Sequence, residues 1–231
     1  MRKVFFILAA LCVPLLFVSC GGDDEPSGAE NGSLGGGTSG KTDNHEYVDL
    51  GLTSGTLWAT MNVGATKPEE YGDYFAWGET TPKQNYSRNN YKWYNTEGKY
   101  TKYCTDGYKG VVDNKTELEL ADDAAYVNWG KNWRMPSNAQ FEELRAECTW
   151  QWNGRGHLFT SKKNNNTLFL PAADCISAFS YAGKNGFYWS RTTDRHGSLT
   201  GYYNMLYSSG ELYWNFVDRY IGCSVRAVRV P

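Results

Sequence analysis

Apolar and polar residues are arranged in three different ways along this chain. Residues 4–18 form an apolar run, broken by Pro14 and preceded by Arg2-Lys3. The run falls short of the roughly 20 residues that a spanning helix needs, and its flanks are those of an export leader. Residues 21–44 are rich in Gly, Ser, Asp and Glu with almost nothing to bury, which predicts a flexible coil. From Glu46 onward, short apolar and aromatic runs are separated by Gly and Asn. They predict strands over 47–50, 56–63, 74–77, 158–161, 167–170, 187–190, 201–207, 212–217 and 224–230. Turn residues at 164–166 and 208–210 predict two hairpins.

Two helices interrupt the strands. One begins near Asp122-Asp123 and runs through Ala124 to Val127, with carboxylates suited to a helix N-terminus. The other opens at Ser137-Asn138-Ala139-Gln140, a capping box, and places Phe141, Leu144 and Cys148 on one face. Strands, two helices, then mostly strands again is an α+β order, not a βαβ array.

Composition narrows the chemistry. The chain carries 23 Lys+Arg and 25 Asp+Glu, and cleavage after residue 19 would remove Arg2 and Lys3. The balance is mildly acidic with no basic stripe, which disfavours nucleic-acid binding. The stretch 45–231 is long enough for one well-buried domain. Aromatic residues make up 16% of the chain, each offering an apolar face, and Tyr and Trp a polar edge as well.

Leu16-Phe17-Val18-Ser19-Cys20-Gly21 resembles a bacterial lipobox. The resemblance implies a signal peptide over 1–19 and acylation of Cys20. Residues 20–44 then become a lipidated tether, and 45–231 a single domain outside the cytoplasm. Several acyl chains anchor far more durably than one. Asp23-Asp24-Glu25, close behind Cys20, resembles the surface-export signal of Bacteroidetes lipoproteins. It implies the outer membrane and its outer face.

Six ordered strings carry a wider resemblance: Tyr47-Val-Asp-Leu-Gly-Leu-Thr-Ser-Gly-Thr-Leu-Trp-Ala-Thr-Met-Asn-Val-Gly-Ala65, Tyr74-Phe-Ala-Trp-Gly-Glu79, Asn132-Trp-Arg-Met-Pro-Ser137, Phe169-Leu-Pro-Ala-Ala173, Tyr188-Trp-Ser190 and Ser224-Val-Arg226. Together with Asp122-Asp-Ala-Ala125 they resemble the Fibrobacter succinogenes major paralogous domain of Bacteroidetes lipoproteins. What this implies is a C-type-lectin-like fold, related to the formylglycine-generating enzymes, over nearly all of 46–230. Met61, Cys175 and Cys223 depart from that family's pattern. Fold alone does not fix function.

With Cys12 lost and Cys20 acylated, Cys104, Cys148, Cys175 and Cys223 remain. In an exported protein four cysteines suggest disulfides, with three possible connectivities. The pairing favoured beside the resemblance is Cys104–Cys148 with Cys175–Cys223. Neither these cysteines nor His45, His157 and His196 have zinc spacing, so no metal or catalytic site is assigned. Asp194 and His196 with Ser190 or Ser198 fall in one polar loop without a nucleophile elbow. Ca²⁺ is the one open cofactor: Glu117, Glu119, Asp122 and Asp123 could hold it, although a helix cap and an acidic turn explain the same residues. The lectin calcium string is approached by Tyr213-Trp214-Asn215-Phe216, which lacks its aspartate.

Aromatics remain the main candidates. Trp58, Trp77, Trp133 and Trp189 sit in the family strings and are expected in the core. Trp93, Trp152, Tyr203, Tyr213 and Trp214, flanked by Asn, Ser, Gly and Arg, are the surface candidates. With Asn215 and the loop residues Asp194, Arg195 and His196, they would stack on and hydrogen-bond a glycan or a partner protein. Packing beneath long loops is the competing explanation. The expectation is therefore a monomeric, non-catalytic binding module. Its alternatives are an enzyme of the formylglycine-generating type working through Cys175 or Cys223, and a structural subunit of a surface assembly.

Overall fold

The computed structural model describes residues 39–176, 183–193, 200–207, 209 and 211–229, and the side chains at 202–207 and 213–216 fall outside that description. All of these residues belong to the unit Ser33–Pro231. The chain is α+β and mostly β. Its first half holds β1 (Gly40–Thr42), β2 (His45–Asp49), β3 (Leu57–Asn62), β4 (Tyr74–Phe75), β5 (Tyr100–Cys104) and β6 (Gly110–Val112). Helices α1 (Ala124–Trp129) and α2 (Asn138–Glu147) follow. Then come β7 (Cys148–Trp152), β8 (Gly156–Ser161), β9 (Thr167–Pro171), β10 (Asn185–Thr193), β11 (Thr200–Tyr207), β12 (Leu212–Asp218), β13 (Cys223–Ser224) and β14 (Arg226–Arg229).

The strands form four sheets, ordered β1-β2-β3-β14, β12-β11-β10-β13-β4, β5-β6 and β7-β8-β9. Pairing is antiparallel except for β10 with β13 and β5 with β6. Both expected hairpins are present as β8–β9 and β11–β12. Four strands went unpredicted: β1, β5, β6 and β7. Among the described residues no helix is long and apolar enough to cross a membrane.

Both helix starts follow from local chemistry. The Asp123 carboxylate accepts the backbone N–H of Tyr126 at the head of α1. Ser137 Oγ accepts the N–H of Gln140, and Gln140 Oε1 accepts that of Ser137, closing the capping box on α2. Phe141, Leu144 and Cys148 are buried as the helical spacing requires.

The core lies on both sides of β10. Phe187 and Trp189 enter a cluster with Trp77, Trp133 and Tyr103. Tyr188 enters a second cluster with Trp58, Phe141, Phe159 and Leu170. Successive strand residues point to opposite faces, so three consecutive aromatics can be fully buried only when both faces are covered. Trp58, Trp77, Trp133 and Trp189 are all buried, as expected. Two of the indoles tie elements together: Trp77 Nε1 donates to the Ser190 carbonyl at 2.8 Å, and Trp189 Nε1 to that of Phe75 at 2.7 Å.

Among the described residues two arginines are wholly buried. Arg226 on β14 donates through Nε to Asn62 Oδ1 (2.8 Å) and through Nη1 to the carbonyls of Ala59 and Thr60 on β3. Burial lowers its pKa to about 10. Arg219 donates to the Tyr103 carbonyl at 2.9 Å and lies over the rings of Trp77 and Tyr100. Each guanidinium serves as a bracket for backbone carbonyls on another strand or loop.

Candidate functional site

The C-terminal candidates lie on the β11–β12 hairpin. Its register places Tyr203 opposite Asn215, Asn204 opposite Trp214, and Met205 opposite Tyr213. Strand β12 is the outermost strand of its sheet, so one side of its backbone has no strand partner among the described residues. The side chains of Tyr203, Tyr213, Trp214 and Asn215 lie outside the described residues, as do Asp194, Arg195 and His196 entirely. At the base of the hairpin Gly201 is indispensable to packing. A Cβ there would meet the Trp77 ring at 2.8 Å and the Trp189 ring at 3.0 Å.

A second aromatic edge occurs on β7, the outer strand of β7-β8-β9. Trp150 stands opposite Phe159 and Trp152 opposite His157. Trp150 is exposed and Trp152 half-buried, while Phe159 and His157 beneath them are buried. Trp152 meets His157 edge-on, with ring centroids 5.3 Å apart and planes at 63°. Among the described residues neither His157 Nδ1 nor Nε2 has a hydrogen-bond partner, and burial lowers its pKa to about 4. The imidazole is therefore neutral at physiological pH. A shallow cleft opens at the following β7–β8 turn, lined by Gly154, Arg155, Glu69, Glu70, Tyr71 and Gly183.

Trp93 occupies another environment. Lys92 Nζ and Lys102 Nζ lie 4.3 and 4.8 Å from its ring centroid, and its Nε1 donates to the Gly78 carbonyl. The ring already carries two cation contacts within the chain. Trp93 and Trp152 are thus placed in different surroundings, one under Lys92 and Lys102 and the other on the β7 edge.

The acidic run is divided among separate tasks. Asp122 accepts hydrogen bonds from Lys102 Nζ (2.5 Å), the Tyr103 hydroxyl (2.6 Å) and Lys92 Nζ (3.1 Å). Burial opposes its ionisation, but these donors outweigh it and hold the carboxyl below its usual pKa. Asp123 caps α1 and also pairs with Arg134 Nε at 2.8 Å. Glu117 pairs with Arg191, and Glu119 with Lys102 and Lys115. Among the described residues no group of three or more His, Cys, Asp or Glu is placed to hold a metal.

No disulfide joins Cys104, Cys148, Cys175 and Cys223, all of which are buried. Cys104 Sγ donates to the Asp106 carbonyl within the cluster around Tyr86 and Tyr91, whereas Cys148 lies in the cluster around Trp58 and Phe141. The structure does not bring those two together. Cys175 and Cys223, by contrast, share a hydrogen bond between their thiols. Cys20 lies outside the described residues. Ser190, one of the two possible triad hydroxyls, is fully buried and bonded to the Thr192 carbonyl; the other, Ser198, lies outside the described residues.

Sequence reasoning overlooked His157 because a lone histidine between strand residues carries no spacing signal. Strand β7 was missed because Cys148 reads as the end of a helical face. The alternation of Trp150 and Trp152 is the signal that could have found it.

The chain was compared with family models, curated proteins and solved structures, and none of them matches it.

Proposed function

We propose that this chain is a lipid-anchored binding module displayed on the outer membrane, non-catalytic, recognising a glycan or protein through aromatic and polar residues on exposed strand edges. The observation that carries this reading is the position of the aromatic strands β7 and β12. Each is the outer strand of its sheet, and on β7 the Trp150 indole reaches the surface. An indole face stacks on sugar rings or apolar side chains, and neighbouring Asn and Arg supply directional hydrogen bonds. The C-type-lectin-like fold and the anchor at Cys20 come from the sequence resemblances, with which the α+β order agrees.

The enzyme alternative draws on the contact between Cys175 and Cys223. A reactive cysteine needs an accessible thiolate, yet burial, with the hydrogen bond that the Cys223 S–H shares with Cys175, raises the Cys223 thiol well above its ordinary pKa. That weighs against nucleophilic chemistry at this pair.

The test is a glycan and protein array probed with the chain from His45 onward. Binding to one ligand class that is lost in Tyr213→Ala/Trp214→Ala, with an unchanged unfolding temperature, supports the reading. Undiminished binding by the double variant removes the C-terminal site. Separate loss in Trp150→Ala/Trp152→Ala would move the site to β7.

A further inference from the structure

We propose that Cys175 and Cys223 form a cross-strand disulfide site, while Cys104 and Cys148 remain thiols. The geometry rests on backbone pairing. Ile176 and Gly222 form an antiparallel bridge, with Ile176 N–H donating to the Gly222 carbonyl at 2.8 Å and Gly222 N–H donating back at 3.3 Å. A residue pair that exchanges both hydrogen bonds is followed, one step along, by a non-hydrogen-bonded pair with Cα atoms about 4.5 Å apart. Here that next pair is Cys175 and Cys223. In a regular ladder that spacing, about 4.5 Å, falls within the range of roughly 4.4–6.8 Å that a disulfide spans. Both side chains point into the same cluster, and their thiols are already in hydrogen-bond contact.

The other cysteines are placed otherwise. Cys104 is committed to the Asp106 carbonyl at the end of β5. Cys148 begins β7 opposite Ser161. The two lie in different core clusters.

The reaction needs an oxidant, which we identify by class as a low-molecular-weight disulfide or a thiol–disulfide exchange protein. The Cys175 thiolate attacks one sulfur of the partner's disulfide, forming a mixed disulfide and releasing one partner thiolate. The Cys223 thiolate then attacks the Cys175 sulfur, closing the intramolecular bond and releasing the second partner thiolate. The two cysteines each lose a proton, and together they pass two electrons to the partner. Because both thiols are buried in the fold, the exchange takes place during folding, before the cluster closes.

Strands β10, β11 and β12 lie between the two cysteines in the chain. The bond would therefore close that segment, including the β11–β12 hairpin, into a covalent loop whose base is the Ile176–Gly222 bridge. The inference is independent of what the hairpin binds.

The test maps cysteines in the full chain, purified without reductant and again after refolding from denaturant in a buffer of oxidised and reduced glutathione. Free thiols are alkylated under denaturing conditions before digestion and mass spectrometry. The expected result in both samples is one cross-linked peptide pair, Cys175 with Cys223, and alkylated Cys104 and Cys148. Oxidation should also raise the unfolding temperature of Cys104→Ala/Cys148→Ala and leave that of Cys175→Ala/Cys223→Ala unchanged. Alkylated Cys175 or Cys223 in the refolded sample, or either one linked to Cys104 or Cys148, would overturn the proposal.

Discussion

Trp152 on β7 stands directly across from His157 on β8, and the imidazole at the indole edge finds no partner for either ring nitrogen among the described residues. Burial holds its pKa at about 4 against an ordinary 6.5. The unfolded chain therefore takes up a proton as pH falls through 6.5, whereas the folded chain resists until about 4. Within that window the unfolded state binds more protons, so stability falls as pH falls. The loss amounts to about 3 kcal/mol by pH 4. His157→Phe should abolish this slope and, by removing an unsatisfied polar group, stabilise the neutral form by about 1 kcal/mol. Denaturant midpoints at pH 7.5 and 4.5 measure both effects. Equal pH dependence in the two proteins would contradict this account.

Asp123 is fully buried and serves three donors: Tyr126 N–H, Met135 N–H and Arg134 Nε. Asp123→Ala removes the cap of α1 and strands the other two groups, with an expected cost of about 3 kcal/mol or more. Asp123→Asn keeps an oxygen for the cap and should lose less. Urea unfolding of the pair decides it. A cost below about 1 kcal/mol for the alanine variant would show that water or rearrangement replaces the carboxylate.

Arg226 presents a planar fork to Asn62, Ala59 and Thr60. Lysine has the charge without the fork. Arg226→Lys should therefore cost about 3 kcal/mol, as expected for a buried charge left poorly paired. Thermal unfolding would refute this if the lysine variant matched the parent.

Gly201→Ala places a methyl group against two indoles at 2.8 and 3.0 Å. Overpacking of this kind costs about 1–3 kcal/mol. Tryptophan fluorescence should report displacement of Trp77 or Trp189, and an unshifted, equally stable variant would mean that the hairpin backbone yields instead.

The sequence was most informative where a local chemical rule applies. Ser137 and Gln140 marked α2, Asp123 marked α1, and the polar turns around Asn165 and Ser209 marked two hairpins. It was least informative where burial depends on partners far away in the chain. The run Phe187-Tyr188-Trp189 has both alternation phases occupied, and nothing local reveals that clusters cover both faces. Trp93, expected at the surface, is half-buried, and nothing local shows that Lys102 reaches its ring from β5. The proximity of Cys175 to Cys223 likewise depends on a bridge between distant segments, for which spacing along the chain gives no rule.

Tethering outside the cytoplasm is the claim that recognition, display and disulfide chemistry in the cell share. Intact-mass and N-terminal peptide analysis of the product extracted from membranes tests it most directly. The account predicts a mature chain beginning at Cys20 with acyl chains on its thiol and amine. A product that retains Met1, or one that begins elsewhere without fatty acid on Cys20, would contradict it.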